Sequence, residues 1–182
     1  VMPKSQFQSE YLGKFLDGTS VLFEGYKERI SKAPGERTQN MYMGIDWGTG
    51  QDQDRTAISI INSQGQQVYT EAFNDKNTTQ TVERISRVWE EWGKPSIMAE
   101  VNGIGKPYCD LLKEKKIPVN EWVTSNQSKN DLVKHLQVAF EQGNITLMED
   151  QRQEDELSYY EATYNPKTGN VSYNAPKGLH DD

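Results

Sequence analysis

Three acidic positions, far apart in the chain, have the residue types and settings that bind divalent cations. Asp46 sits in Met43-Gly44-Ile45-Asp46-Trp47-Gly48-Thr49-Gly50, where apolar residues run up to one acid and glycines follow at once. This pattern reads as a buried strand that delivers a carboxylate to the rim of a sheet. An acid in that place is costly to bury unless it is paired or bound to a cation. Glu100 ends a second candidate strand, and the sequence closes on His180-Asp181-Asp182. If the two strands are sheet neighbours, Asp46 and Glu100 come within reach of one cation. Three or four converging carboxylates suit octahedral oxygen coordination, which favours Mg²⁺ or Mn²⁺. Two such ions about 4 Å apart clamp the attacking and leaving oxygens of an in-line phosphodiester displacement.

Each residue also has a plainer reading. Asp46 could start a turn before glycine, and Glu100 could pair with a nearby Lys or Arg. Asp181 and Asp182 could be solvated chain-end acids, and His180 a cap or packing residue. Lys129 and Lys134 could steer a phosphate backbone, but a solvated helix face explains them as well. Cys109 reads as a small apolar residue on a helix. Asn102-Gly103-Ile104-Gly105-Lys106-Pro107 lacks the spacing of a phosphate-binding loop.

Composition limits the chemistry further. With two His and one Cys among 182 residues, an all-Cys/His zinc site cannot be built and no internal disulfide can form. A lone cysteine fits a reducing compartment. The net charge of −7 argues against a strongly basic nucleic-acid-binding domain. It leaves room for a nuclease, because bound cations cancel the repulsion between clustered acids and phosphate. No apolar run is long enough to span a bilayer, and the first residues lack the core of a signal peptide.

The elements that must position these residues follow from periodicity. Phe7, Tyr11, Leu12, Phe15 and Leu16 form a helical stripe over Lys4 to Asp17, and Ser31 to Gln39 reads as a linker. The main body starts at Asn40. Met41 to Trp47, Thr56 to Asn62 and Gln66 to Phe73 read as a three-stranded meander. Asn77-Thr78-Thr79 caps a helix with Val82, Ile85, Trp89 and Trp92 on its buried side. Strand four, Ser96 to Val101, puts Met98 and Glu100 on one face and Ile97, Ala99 and Val101 on the other. A helix with Pro107 near its start carries Tyr108, Leu111 and Leu112, and Ile117 to Val123 is a fifth strand. This alternation argues for an α/β layer with parallel pairing in the second half. Ser128 caps a helix carrying Leu132, Leu136, Ala139 and Phe140, which Gly143 stops. Glu154 to Tyr160 reads as helical. Thr163 to Tyr173 reads as a hairpin, with tyrosines at matching places on its arms.

Taken in order, several of these stretches resemble the nuclease domain of the large terminase subunit of tailed bacteriophages. They are Ile45-Asp46-Trp47-Gly48, Ala99-Glu100-Val101-Asn102, Ser128-Lys129 with Leu132, Leu136 and Gly143-Asn144-Ile145, Glu156-Leu157, and Gly178-Leu179-His180-Asp181-Asp182. Gln8 to Phe23 resembles the stretch that joins the packaging ATPase to this nuclease. The resemblance implies an α/β, ribonuclease H-like fold: a mixed five-stranded sheet ordered 3-2-1-4-5, strand 2 antiparallel, helices on both faces, and an extra β-hairpin. It implies residues 1–39 as the N-terminal helix and linker and 40–182 as the nuclease domain. It implies a metal-dependent endonuclease that cuts concatemeric viral double-stranded DNA during packaging, with two divalent cations, Mg²⁺ or Mn²⁺. Carried over by position, Asp46 and Glu100 are metal-bridging acids and the Asp181–Asp182 pair supplies the third, with His180 an accessory candidate. Lys129, Lys134, Lys167 and Lys177 are the DNA-contact candidates, and the hairpin around Gly169 is expected to touch DNA or gate the site. The implied partners are the packaging ATPase domain, the portal and the small terminase subunit, in the host cytoplasm and without a membrane. No ATPase motif is present, so an isolated domain or fragment is expected, and the family pattern continues into a long helix after Asp182.

Two other classes share parts of these signals. Gly44 to Gly50 also looks like the first phosphate-binding hairpin of actin-like and sugar-kinase phosphotransferases, which need a second lobe and a second Asp-x-Gly turn. A non-catalytic docking module would carry the same acids as surface charge. A junction resolvase with the same sheet is a nearer variant of the nuclease reading.

Overall fold

The structure is a computed structural model that describes residues 22–49, 54–75, 77–165 and 170–174. A 3-10 turn at Lys27–Arg29 leads into β1 (Ile30–Ser31), followed by β2 (Met41–Asp46), β3 (Thr56–Asn62) and β4 (Gln67–Phe73). Then come α1 (Thr78–Glu91), β5 (Ser96–Glu100), α2 (Gly105–Glu114), β6 (Val119–Trp122) and α3 (Asn126–Gln142). The order closes with β7 (Leu147–Met148), α4 (Gln151–Tyr159), β8 (Glu161–Asn165) and β9 (Asn170–Asn174). The described residues form two compact units, one within 32–124 and one joining 22–31 to those between 125 and 174. Among the described residues no helix is long and apolar enough to cross a membrane.

The first unit is built on a five-stranded sheet ordered β4-β3-β2-β5-β6. β3 runs antiparallel to β2 and β4, while β5 is parallel to both β2 and β6. Counted from Met41, this is the order 3-2-1-4-5 with the second strand antiparallel, as the family resemblance implies. Strict alternation sets the buried face: Met41, Met43 and Ile45 on β2, Ile58 and Ile60 on β3, Ile97 and Ala99 on β5. Against that face pack Val82, Ile85, Val88 and Trp89 of α1 with Cys109 and Leu112 of α2. Burying apolar area on this scale is the main favourable term in folding. Asn77 caps α1 by accepting from the Gln80 amide, and the Trp89 indole donates to the Pro95 carbonyl. Residues on the other face of β2 and β5 remain open, with Tyr42 and Met98 about half exposed.

The fifth strand is shorter than its apolar run. Pro118 has no amide hydrogen, and the Ile117 amide is used to close the end of α2 on the Leu112 carbonyl. Pairing therefore begins at Val119.

In the second unit, Leu22, Phe23 and Tyr26 share a core with Val133 and Phe140 of α3, Leu147 of β7 and Tyr173 of β9. Phe23 meets Phe140 edge-on and stacks on Tyr160. Ser31, where the expected linker starts, and Ile30 before it pair in parallel with Met148 and Leu147. α3 departs from the sequence expectation at its cap and its face. Ser125, not Ser128, is the N-cap; Ser128 returns the bond to complete a capping box. Val133, Gln137 and Phe140 form the buried side, whereas Leu132 is exposed. Gln137 is tolerated there because its amide donates to the Leu22 carbonyl at 2.9 Å. Gly143 ends α3 in the left-handed conformation that favours glycine, and a Cβ there would displace the Arg29 guanidinium. In the hairpin, Tyr164 faces Val171 and Tyr173 faces Ala162, so the tyrosines are not cross-strand partners. The candidate helix from Lys4 to Asp17 lies outside the described residues.

Candidate active site

Asp46 is the last residue of β2 and Glu100 the last of β5. The strands are parallel neighbours, and their register pairs Ile45 with Ala99. Asp46 and Glu100 follow that pair directly, so they stand side by side at the ends of strands about 4.8 Å apart. Because Ile45 and Ala99 point into the core, both acids project from the opposite face. Asp46 is exposed and Glu100 half-buried. Sheet pairing holds each backbone from its outer side as well, Asp46 against Ala57 of β3 and Glu100 against Trp122 of β6.

Around these strand ends, side chains tie the loops down. The Gly48 amide donates to the Thr56 hydroxyl at 3.2 Å. Asp54 accepts from both the amide and the hydroxyl of Thr49. Asn102 spans the next gap: its amide donates to the Thr124 carbonyl at 2.7 Å and its carbonyl accepts from the Thr124 amide at 3.0 Å. The Trp47 indole donates to the Glu100 carbonyl at 2.8 Å, and its ring stacks on Tyr108 of α2 at 4.6 Å.

Lys106, on α2 after Glu100, is already committed. Lys106 pairs with Asp110 at 2.7 Å and with Glu121 at 3.0 Å, and Lys113 also binds Glu121. These two lysines hold the Glu121 carboxyl below the ordinary glutamate range. Cys109 is fully buried on α2, and burial pushes its thiol up.

Two carboxylates at the ends of adjacent strands fit a hard cation such as Mg²⁺ or Mn²⁺. Among the described residues no group of three or more His, Cys, Asp or Glu side chains could hold a metal ion. The third donor expected from Asp181 and Asp182 lies outside the described residues, as do His180, Lys167, Lys177 and the hairpin tip at Gly169. Lys129 and Lys134 lie on α3 and are half-buried, with the Lys129 ammonium 5.9 Å from the centre of the Tyr160 ring. Five residues apart on a helix, they point in different directions.

Sequence reasoning missed Trp47, Gly105 and Asn102 as supports of the site. A tryptophan directly after the strand-end acid was a usable signal, because a buried indole N–H needs an acceptor.

The mixed sheet in this order is the ribonuclease H-like fold. The chain belongs to the terminase RNaseH-like domain family, whose model matches residues 43–182. The terminase large subunit of Thermus virus P23-45 is 25% identical over 193 residues, covering 100% of this chain. The chain spans 39% of the length of that relative. The magnesium-bound crystal structure of the large terminase nuclease from thermophilic phage G20c superposes with a TM-score of 0.78 at 21% identity, covering 91% of this chain and 93% of that one. Its cobalt-bound form superposes equally well, with a TM-score of 0.78 at 22% identity over 91% and 93% of the two chains.

Proposed function

We propose that this chain is the metal-dependent nuclease domain of a large terminase subunit. In this reading it is an endodeoxyribonuclease that hydrolyses phosphodiester bonds of concatemeric viral double-stranded DNA during genome packaging. The observation that carries the reading is the side-by-side placement of Asp46 and Glu100 at the ends of adjacent parallel strands. The magnesium- and cobalt-bound forms of the similar phage G20c nuclease support a divalent cation here.

Asp46 and Glu100 would hold two cations, Mg²⁺ or Mn²⁺, with Asp181 or Asp182 as the third carboxylate. When bound, such ions neutralise charge on the attacking and leaving oxygens of the phosphodiester. The protein's part is to hold its carboxylates on a rigid sheet edge, so that no reorganisation is needed during reaction. The exposure of Asp46 leaves that edge accessible to a DNA strand. Lys129, Lys134, Lys167 and Lys177 are the candidates for backbone contact, and His180 for an accessory role. The partners are the packaging ATPase domain, the portal and the small terminase subunit, in the host cytoplasm. Family membership favours this reading over an actin-like phosphotransferase or a docking module.

The test is plasmid cleavage with a metal series. Wild-type protein nicks or cuts plasmid DNA with Mn²⁺ or Mg²⁺ and with little sequence preference, and Asp46→Ala abolishes cutting while remaining folded. Metal-independent cutting, or full activity of Asp46→Ala, would refute it.

A further inference from the structure

Trp47 follows the first acid, turns to the buried face of the sheet, and reaches sideways to the strand of the second. Its indole N–H donates to the Glu100 carbonyl at 2.8 Å. The regular pairing of β2 with β5 ends at Ile45 and Ala99, so this bond ties the two strands beyond the ladder, at the level of the acids. Two further features close on the same carbonyl. A Cβ on Gly105 would lie 2.1 Å from the Glu100 oxygen and 2.9 Å from the Trp47 ring, so only glycine lets α2 start here. The Cys109 sulfur lies 3.9 Å from that oxygen, and Tyr108, between them in sequence, stacks flat on the indole with an interplanar angle of 9°. The Glu100 peptide is thereby fixed between an N–H donor and a helix start. Fixing that peptide fixes ψ of Glu100, and with it the direction of the chain that carries the carboxylate.

We propose that Trp47 is a positioning residue for the metal site, setting the separation and orientation of the Asp46 and Glu100 carboxylates through its bond to the Glu100 backbone. The proposal rests on the metal-binding reading above. It assigns Trp47 no contact with substrate or ion. Cation sites of this kind are sensitive to the geometry of their oxygen ligands, and groups that orient ligands typically matter about tenfold to a hundredfold in affinity or activity.

Trp47→Phe separates the donor from the packing, since it keeps a ring against Tyr108 and removes the N–H. Mn²⁺ binding is measured by titration calorimetry on the 182-residue chain, well below its thermal midpoint. Ile85→Val, a truncation in the core far along α1, serves as a control for loss of stability alone. Trp47→Phe is expected to weaken Mn²⁺ binding by about fivefold to tenfold, as for loss of one hydrogen bond. Ile85→Val is expected to leave Mn²⁺ affinity unchanged. Wild-type affinity in Trp47→Phe, or an equal loss in Ile85→Val, would overturn the positioning role while leaving the metal site standing. Absence of Mn²⁺ binding by the wild-type chain would overturn both the metal site and the role assigned to Trp47.

Discussion

Asp46 and Glu100 each stand one residue beyond the Ile45–Ala99 pair of two parallel strands, on the face opposite the core. Neighbouring like charges disfavour one another unless a cation sits between them. Asp46→Asn and Glu100→Gln are each expected to reduce Mn²⁺-dependent plasmid cleavage by about a hundredfold or more.

Gly105 should tolerate no side chain. Its missing Cβ is the space occupied by the Glu100 carbonyl. Gly105→Ala is expected to cost about 1–3 kcal/mol by urea denaturation, the range for forced overpacking, and to weaken Mn²⁺ binding as well.

Cys109 should be chemically silent in the folded protein. Burial is the largest cause of its raised pKa, with the Glu121 carboxylate adding to it. A thiol raised in this way has little thiolate at pH 8 and no access to reagent. A disulfide reagent added at pH 8 should leave the native chain unlabelled and titrate one thiol per chain in guanidinium.

The Lys106–Glu121–Lys113 cluster predicts a pH dependence of defined sign. The lysines lower the Glu121 pKa below its ordinary 4.5. The folded value is thus below the unfolded one, so the contribution is present above the unfolded pKa and is lost as pH falls through the folded value. The cluster is exposed, so the effect should shrink with added salt. Carbon-detected NMR should place the Glu121 midpoint below 4.5, and Lys113→Ala should move it upward.

α3 offers a stability test independent of the site. Ser125→Ala removes the acceptor for the Ser128 amide and is expected to cost about 0.5–2 kcal/mol. Gly143→Ala places a Cβ at φ 70°, against Arg29, and is expected to cost about 1–2 kcal/mol or more. Chemical denaturation of both variants gives the comparison.

The sheet was legible in the sequence because its signals are local. β3 occupies Thr56–Asn62 as read, since β-branched residues run up to a Ser-Gln-Gly turn. The facing of Glu100 was legible too, because two-residue alternation leaves one choice once Ile97 and Ala99 are inside. Neighbourhood of β2 and β5 was not, because parallel pairing is decided by long-range packing and entered through the family resemblance. α3 shows a different limit. Its sequence allows an apolar stripe through Leu132 and Leu136, and burial of Gln137 depends on a carbonyl 115 residues away. The pairing of Ile30 and Ser31 with β7 was invisible because two residues carry no period. The bond from Trp47 to Glu100 lay hidden for the same reason as Gln137: its acceptor is a backbone group on a distant strand.

The central claim is that Asp46 and Glu100 bind the same ion, and manganese anomalous diffraction from crystals soaked in Mn²⁺ tests it most directly. The account predicts an anomalous peak about 2.1 Å from a carboxylate oxygen of each residue. A peak bound by only one of them, or manganese found only elsewhere, would contradict it.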